Sequence, residues 1–116
     1  MRAQVRRVFS SDVENLDEWK PSGEAYSVVV RLLVGPLGGA GEESFDLTVC
    51  SPAWLSQQTE LIPVFDGRHH LVVREFNWVA IRAYIEKRVE ACVGDTWENV
   101  AWQLSRFAYW EFEDHT

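Results

Sequence analysis

The chain has 116 residues and a formal net charge of −7, from 18 acidic and 11 basic side chains. This length predicts a single domain, residues 1–116, that can bury a core without disulfides or a metal. The hydrophobic share of 47% is typical of a globular protein, and no apolar run is long enough to cross a membrane. The acidic excess argues against a nucleic-acid ligand and favours a basic partner.

Strand patterns dominate the first half of the chain. Residues 3–9 are a weak strand candidate, and residues 10–24 are predicted to form a loop with a helical turn. Residues 25–34 are almost continuously apolar, which is typical of a central strand covered on both faces. Residues 44–50 alternate as a strand with one buried face does, and the glycine-rich residues 35–41 predict a hairpin connection. The core-facing residues of the alternating strand are predicted to be Phe45, Leu47 and Val49.

A helix is predicted directly after the alternating strand. Ser51 is suited to cap it, and Pro52 suits its first turn. It is expected to run to about residue 60 and to carry Trp54 and Leu55 inward. A further strand is predicted near residues 69–76.

Two helices are predicted in the last third of the chain. Asn77 is expected to cap the first and Gly94 to end it, while Asp95 and Glu98 form a capping-box pattern for the second. The predicted buried positions are Trp78, Ile81, Ile85, Val89 and Cys92 in the first helix, and Trp97, Val100, Ala101, Leu104 and Phe107 in the second. Strands come first and helices mostly last. The sequence therefore predicts an α+β fold, with an antiparallel sheet of about four strands packed against C-terminal helices.

No residue set predicts a catalytic, cofactor or metal site. His69 and His70 are adjacent on a predicted strand, so their side chains point to opposite faces and cannot easily share a metal ion. Cys50 and Cys92 have no metal-like spacing, and no His is placed beside them as a base, so each is interpreted as a small core residue. The glycine-rich segment lacks the Gly-Lys-Ser/Thr ending of a phosphate-binding loop. We expect no catalysis, no cofactor and no small-molecule substrate.

Acidic side chains near aromatic ones are the candidates for a partner-binding surface. In the tail, Trp110 and Phe112 alternate with Glu111 and Glu113, which predicts a short strand with its aromatics inward and its acids outward. Aromatic anchors rimmed by charge are typical of interfaces. The candidate partner-binding residues are Glu111, Glu113, Asp114, Glu42, Glu43 and Asp46. The alternative is that these carboxylates are only solvated, on an edge strand and a loop.

Four segments follow one another in a characteristic order. Residues 41–55 read GEESFDLTVCSPAWL, residues 67–73 GRHHLVV, residues 94–97 GDTW, and residues 109–114 YWEFED. This ordered set, which spans nearly the whole chain, resembles the immunity protein 8 family of bacterial polymorphic toxin systems. It implies an antitoxin-like protein made beside a toxin, which binds the cognate toxin domain and protects the producing cell without catalysis or cofactor.

Localisation and partner class follow from the remaining features. Residues 1–7 are basic but no apolar run follows them, which predicts no signal peptide, a cytoplasmic protein and reduced thiols. A stand-alone acidic adaptor module with an unrelated protein partner stays open as an alternative, as does an enzyme with a hidden site. The acidity favours a basic toxin such as a nuclease. Gene neighbourhood would distinguish the two protein-binding roles, because an immunity gene is expected just downstream of a large toxin gene.

Overall fold

The computed structural model describes residues 1–112, whose strands form one sheet. The strands are β1 (Ala3–Phe9), β2 (Ser27–Pro36), β3 (Glu43–Cys50), β4 (His70–Val72) and β5 (Tyr109–Trp110). The helices are α1 (Pro52–Leu61), α2 (Trp78–Glu90) and α3 (Trp97–Leu104). The predicted α+β class, with helices toward the C-terminus, is confirmed. None of these helices is both long and apolar enough to cross a membrane.

The sheet is mixed rather than wholly antiparallel. Its order is β1-β2-β3-β4, and β5 also pairs with β3. The β1–β2, β2–β3 and β3–β5 pairs are antiparallel, whereas β4 runs parallel to β3. The difference arises because α1 lies between β3 and β4 in the chain and serves as a crossover, the connection that parallel neighbours need. The strand predicted at residues 69–76 shortens to the three residues of β4.

Burial in β2 alternates, so the prediction of a strand covered on both faces is wrong. Val29 is 36% exposed and Arg31 is exposed, because α2 and α3 pack on only one face of the sheet. The alternating residues of β3 face that covered side, as predicted. The fully buried residues of the two strands include Val28, Val30, Leu32, Val34, Phe45, Leu47 and Val49.

The predicted hairpin between β2 and β3 is confirmed. An arginine side chain of β1 forms hydrogen bonds with its backbone. Gly38 and Gly41 have positive φ angles of 75° and 93°, which glycine adopts without a steric penalty. The β1–β2 register shifts between Val5 and Arg7. Such a bulge re-aims the intervening side chain. The Arg6 Nη2 group donates hydrogen bonds to the carbonyl oxygens of Pro36, at 2.7 Å, and Gly39, at 2.6 Å.

Ser51 caps α1 as predicted, with Pro52 in the first turn. Its buried hydroxyl oxygen accepts hydrogen bonds from the backbone N–H groups of Trp54, at 3.2 Å, and Tyr26, at 3.1 Å. Trp54 and Leu55 are only partly buried, and no residue of α1 is fully buried. The helix therefore lies at the periphery and depends on its cap.

Ser51→Ala should lower the free energy of unfolding by about 1–2 kcal/mol, because it removes a helix cap and leaves a second N–H group unpaired. Thr96→Ala is the matched control, since the exposed Thr96 caps α3 through one hydrogen bond, to the Asn99 N–H. Its cost should be smaller, about 0.5–1 kcal/mol. Urea unfolding measures both, and equal losses would contradict the double role of Ser51.

The helix ends differ in part from the prediction. Asn77 caps α2, but α2 ends at Glu90 rather than near Gly94, and Cys92 lies beyond it, partly buried. The cap of α3 is Thr96 and not Asp95, because Thr96 is the extended residue directly before the helix. Two buried faces were predicted correctly: Trp78, Ile81, Ile85 and Val89 in α2, and Val100, Ala101 and Leu104 in α3. Trp97 and Phe107 are partly buried against that core.

Candidate protein-binding surface

The tail closes one edge of the sheet through Trp110. Its ring stacks on Phe45 with a centroid distance of 6.2 Å and meets Trp102 edge-to-face at 5.3 Å. Phe112 was expected to pack inward, and this is wrong: it is 44% exposed because the chain turns after Trp110 and the strand alternation stops. Glu111 is exposed in that turn. Glu113 and Asp114 lie outside the described residues.

Asp46 and Glu111 lie near the same arginine on the uncovered face of the sheet. Arg31 and Asp46 are register partners on β2 and β3. Their side chains form a bidentate pair, with Nε to Oδ1 at 2.8 Å and Nη2 to Oδ2 at 3.1 Å. This hydrogen bonding and the charge of Asp46 raise the pKa of Arg31, and the charge of Glu111 acts in the same direction. The charge of Asp46 is therefore already compensated within the chain.

Glu42 and Glu43 lie at the hairpin end of β3, apart from that pair. The carboxylate of Glu43 accepts a hydrogen bond from Trp97 Nε1 at 3.2 Å, which ties β3 to the start of α3. Glu42 is exposed. Three residues of strand, about 10 Å, separate Glu43 from Asp46. The predicted acidic residues within residues 1–112 thus form two small groups rather than one cluster.

The most acidic segment was not among the predicted site residues. Residues 10–24, called the acidic loop below, hold five carboxylates and one lysine. Asp12 accepts a hydrogen bond from the Val29 N–H at 2.9 Å, and Ser10 donates one to the Val29 carbonyl at 2.5 Å. These two side chains therefore pair the backbone groups of Val29 in β2, because β1 ends at Phe9 and no longer pairs with β2 there. The exposed carboxylates belong to Asp12, Glu14, Asp17, Glu18 and Glu24.

An open groove of about 680 Å³ lies between the acidic loop, the start of α1 and residues 74–76. Glu24, Tyr26, Glu75 and Phe76 are among the residues that line it. We call it the loop groove. The density of acids in the acidic loop was a signal visible in the sequence. The groove itself was not, because its two walls are about fifty residues apart in the chain.

The thiols lack the environment of a nucleophile. Cys50 is buried and Cys92 is partly buried, and burial raises the pKa of both. A raised pKa keeps sulfur in the thiol form, whereas the thiolate is the nucleophile and the metal ligand. Their predicted role as small core residues agrees with this environment.

The two histidines make different contacts. His69 Nε2 donates to the Ser105 carbonyl at 2.6 Å, while His70 Nδ1 donates to the Arg68 carbonyl at 2.8 Å. The His70 ring also stacks on Trp54. Within the part of the chain that the structure describes, no group of three or more His, Cys, Asp or Glu side chains is arranged to hold a metal ion.

Fold and surface together define a small α+β protein with exposed carboxylates in the acidic loop, at the hairpin end of β3 and in the tail turn. The chain belongs to the immunity protein 8 family, since the model of that family matches residues 3–115. The resemblance seen in the sequence is thereby confirmed. No curated protein matches the chain, and no solved structure does.

Proposed function

We propose that this protein is an immunity protein that binds a cognate bacterial toxin domain and neutralises it through protein–protein contact, without catalysis. The observation that carries the proposal is the family match over residues 3–115, which includes every strand and helix described above. In this proposal residues 1–116 act as one domain in the cytoplasm of the producing cell. The proposed partner is a protein, and the proposal includes no binding to nucleic acid or to a membrane.

The proposed contacts are acidic side chains that meet basic residues of the toxin. They are Glu42, Glu43, Asp46, Glu111, Glu113 and Asp114. Exposure supports Glu42 and Glu111 most, because their carboxylates can reach a partner without breaking a hydrogen bond of the described residues. Asp46 should contribute less, because Arg31 already pairs with it. A rim charge mainly accelerates association, whereas a desolvated pair also slows dissociation.

Electrostatic steering makes the association rate depend on salt. Between about 50 and 500 mM salt the screening length falls to a few ångströms, so association should slow markedly while dissociation changes less. Stopped-flow mixing of the chain with the toxin domain measures both rates. An association rate that does not change over this range would contradict electrostatic steering. It would not contradict the immunity role, which rests on the family match.

A binding experiment tests the proposed function. The toxin domain encoded beside this gene, made catalytically inactive, should co-purify with the tagged chain and elute with it as one complex. A control bait of similar size and basicity, taken from an unrelated toxin, should not. If the cognate domain and the unrelated bait are captured equally, specific neutralisation is contradicted.

A further inference from the structure

The loop groove combines carboxylates with aromatic rings at one end of the sheet. It lies where β2 begins and β3 ends, opposite the hairpin that carries Glu42. Over the eight register pairs of β2 and β3, this distance is about 25 Å. The groove is therefore separate from the acidic group at the hairpin end.

Tyr26 and Phe76 form the aromatic wall of the groove, and Trp19, which does not line it, packs against both rings. Trp19 meets Phe76 edge-to-face at a centroid distance of 4.7 Å, and it meets Tyr26 at 6.0 Å. Tyr26 and Phe76 are themselves edge-to-face at 6.3 Å. Rings that brace one another lose little freedom when a partner arrives, and an aromatic face within about 6 Å attracts a cation.

The charges around these rings are mostly negative. Glu24 and Glu75 line the groove, are exposed, and form no ion pair with any residue in 1–112. Four further carboxylates and a single lysine lie elsewhere in the acidic loop and do not line the groove. Arg74 also lines the groove and is exposed, so it is the chain's own competitor for these carboxylates.

One wall residue also has an unmade hydrogen bond. The Tyr26 hydroxyl is buried and has no hydrogen-bond partner among the described residues. Leaving a buried polar group unpaired costs free energy, because the group has given up its hydrogen bonds to water. A hydrogen-bond donor that enters the groove and reaches this oxygen would recover part of that cost.

We propose that the loop groove receives a lysine or arginine side chain of the partner protein, with the charged head near Glu24 and Glu75 and the stem against Tyr26 and Phe76. This inference rests on the proposed function in one respect, that the partner is the cognate toxin domain. The groove is open and its volume is about 680 Å³, so the cation can enter with neighbouring parts of its loop.

Three variants test the groove by titration against the inactive cognate toxin domain. Glu24→Gln with Glu75→Gln should weaken binding by about tenfold or more. The matched control, Glu60→Gln with Glu90→Gln, removes the same charge from exposed helix ends and should change affinity by less than about twofold. Arg74→Gln should strengthen binding, because it removes the competing cation. Parental affinity in the groove variant, or equal losses in groove and control variants, overturns the proposal.

A second measurement separates the groove from the proposed function. Arginine amide at millimolar concentrations should shift the NMR signals of the Tyr26 and Phe76 rings in the protein alone, whereas glutamine amide should not. The Glu24→Gln and Glu75→Gln double variant should lose this response. If arginine amide leaves both rings unmoved, the groove proposal fails even where the parent binds the toxin. If the rings respond but the toxin does not bind, the immunity role fails instead.

Discussion

Replacing Trp110 with alanine should lower the free energy of unfolding by about 3–5 kcal/mol, as for other large buried aromatics. The side chain is only 7% exposed, stacks on Phe45 and contacts Trp102. It also belongs to the short strand β5, which covers part of one edge of β3. A domain of this size is stable by about 5–15 kcal/mol, so the loss could approach half of the total. Urea unfolding followed by circular dichroism measures it.

Phe112→Ala is the matched control for Trp110. It removes an aromatic ring two residues away. This ring meets Trp110 edge-to-face at a centroid distance of 6.2 Å, but it is 44% exposed. Its cost should stay well below that of Trp110→Ala, because a ring that is 44% exposed buries less apolar area. If Trp110→Ala costs no more than Phe112→Ala, Trp110 does not hold β5 on the core.

Reversing two exposed acids, Glu42→Lys with Glu111→Lys, should weaken toxin binding by at least about tenfold, or about 1.4 kcal/mol. Both carboxylates are exposed, and each belongs to one of the two acidic groups: Glu42 to the group at the hairpin end and Glu111 to the group near Arg31. Surface charges contribute under about 1 kcal/mol each to stability. Charges paired across an interface contribute more, commonly about 2 kcal/mol or above when desolvated. The melting temperature should therefore stay close to that of the parent while affinity falls.

The control for this reversal is Glu60→Lys with Glu90→Lys, which changes the net charge equally. Both acids are exposed at the last turns of α1 and α2, where a cation suits the helix dipole. This protein should bind the toxin with an affinity within a few-fold of the parent. Parental affinity in the Glu42 and Glu111 variant would exclude these two residues from the interface and direct attention to the loop groove.

Local signals in the sequence predicted much of the fold. The alternation of β3, the glycine-rich turn and the Ser51-Pro52 start are each decided by neighbours in the chain, and each is present in the structure. The predictions were wrong where contacts between distant segments of the chain determine the structure. β2 is apolar at Val29, yet no helix covers that residue. β4 runs parallel to β3 because α1 acts as a crossover, and the predicted strand–helix–strand order of residues 44–76 was the signal for it.

The candidate site was harder to predict than the fold. Glu43 and Asp46 looked like free carboxylates, and only the structure places Trp97 and Arg31 beside them. The alternation of the tail suggested that Phe112 packs inward, but a strand pattern holds only while the chain stays extended, and the chain turns after Trp110. The loop groove depends on Glu24 and Glu75, which lie 51 positions apart in the sequence.

Growth rescue is the most direct measurement of the immunity role. The active form of the proposed cognate toxin domain is induced in a bacterial host, with this chain or with the Glu42→Lys and Glu111→Lys variant expressed at equal soluble levels. We expect growth to be restored by the parent chain and to be restored less by the variant. Growth arrest despite abundant, folded parent chain, together with the absence of a complex with the toxin domain, would contradict neutralisation by binding.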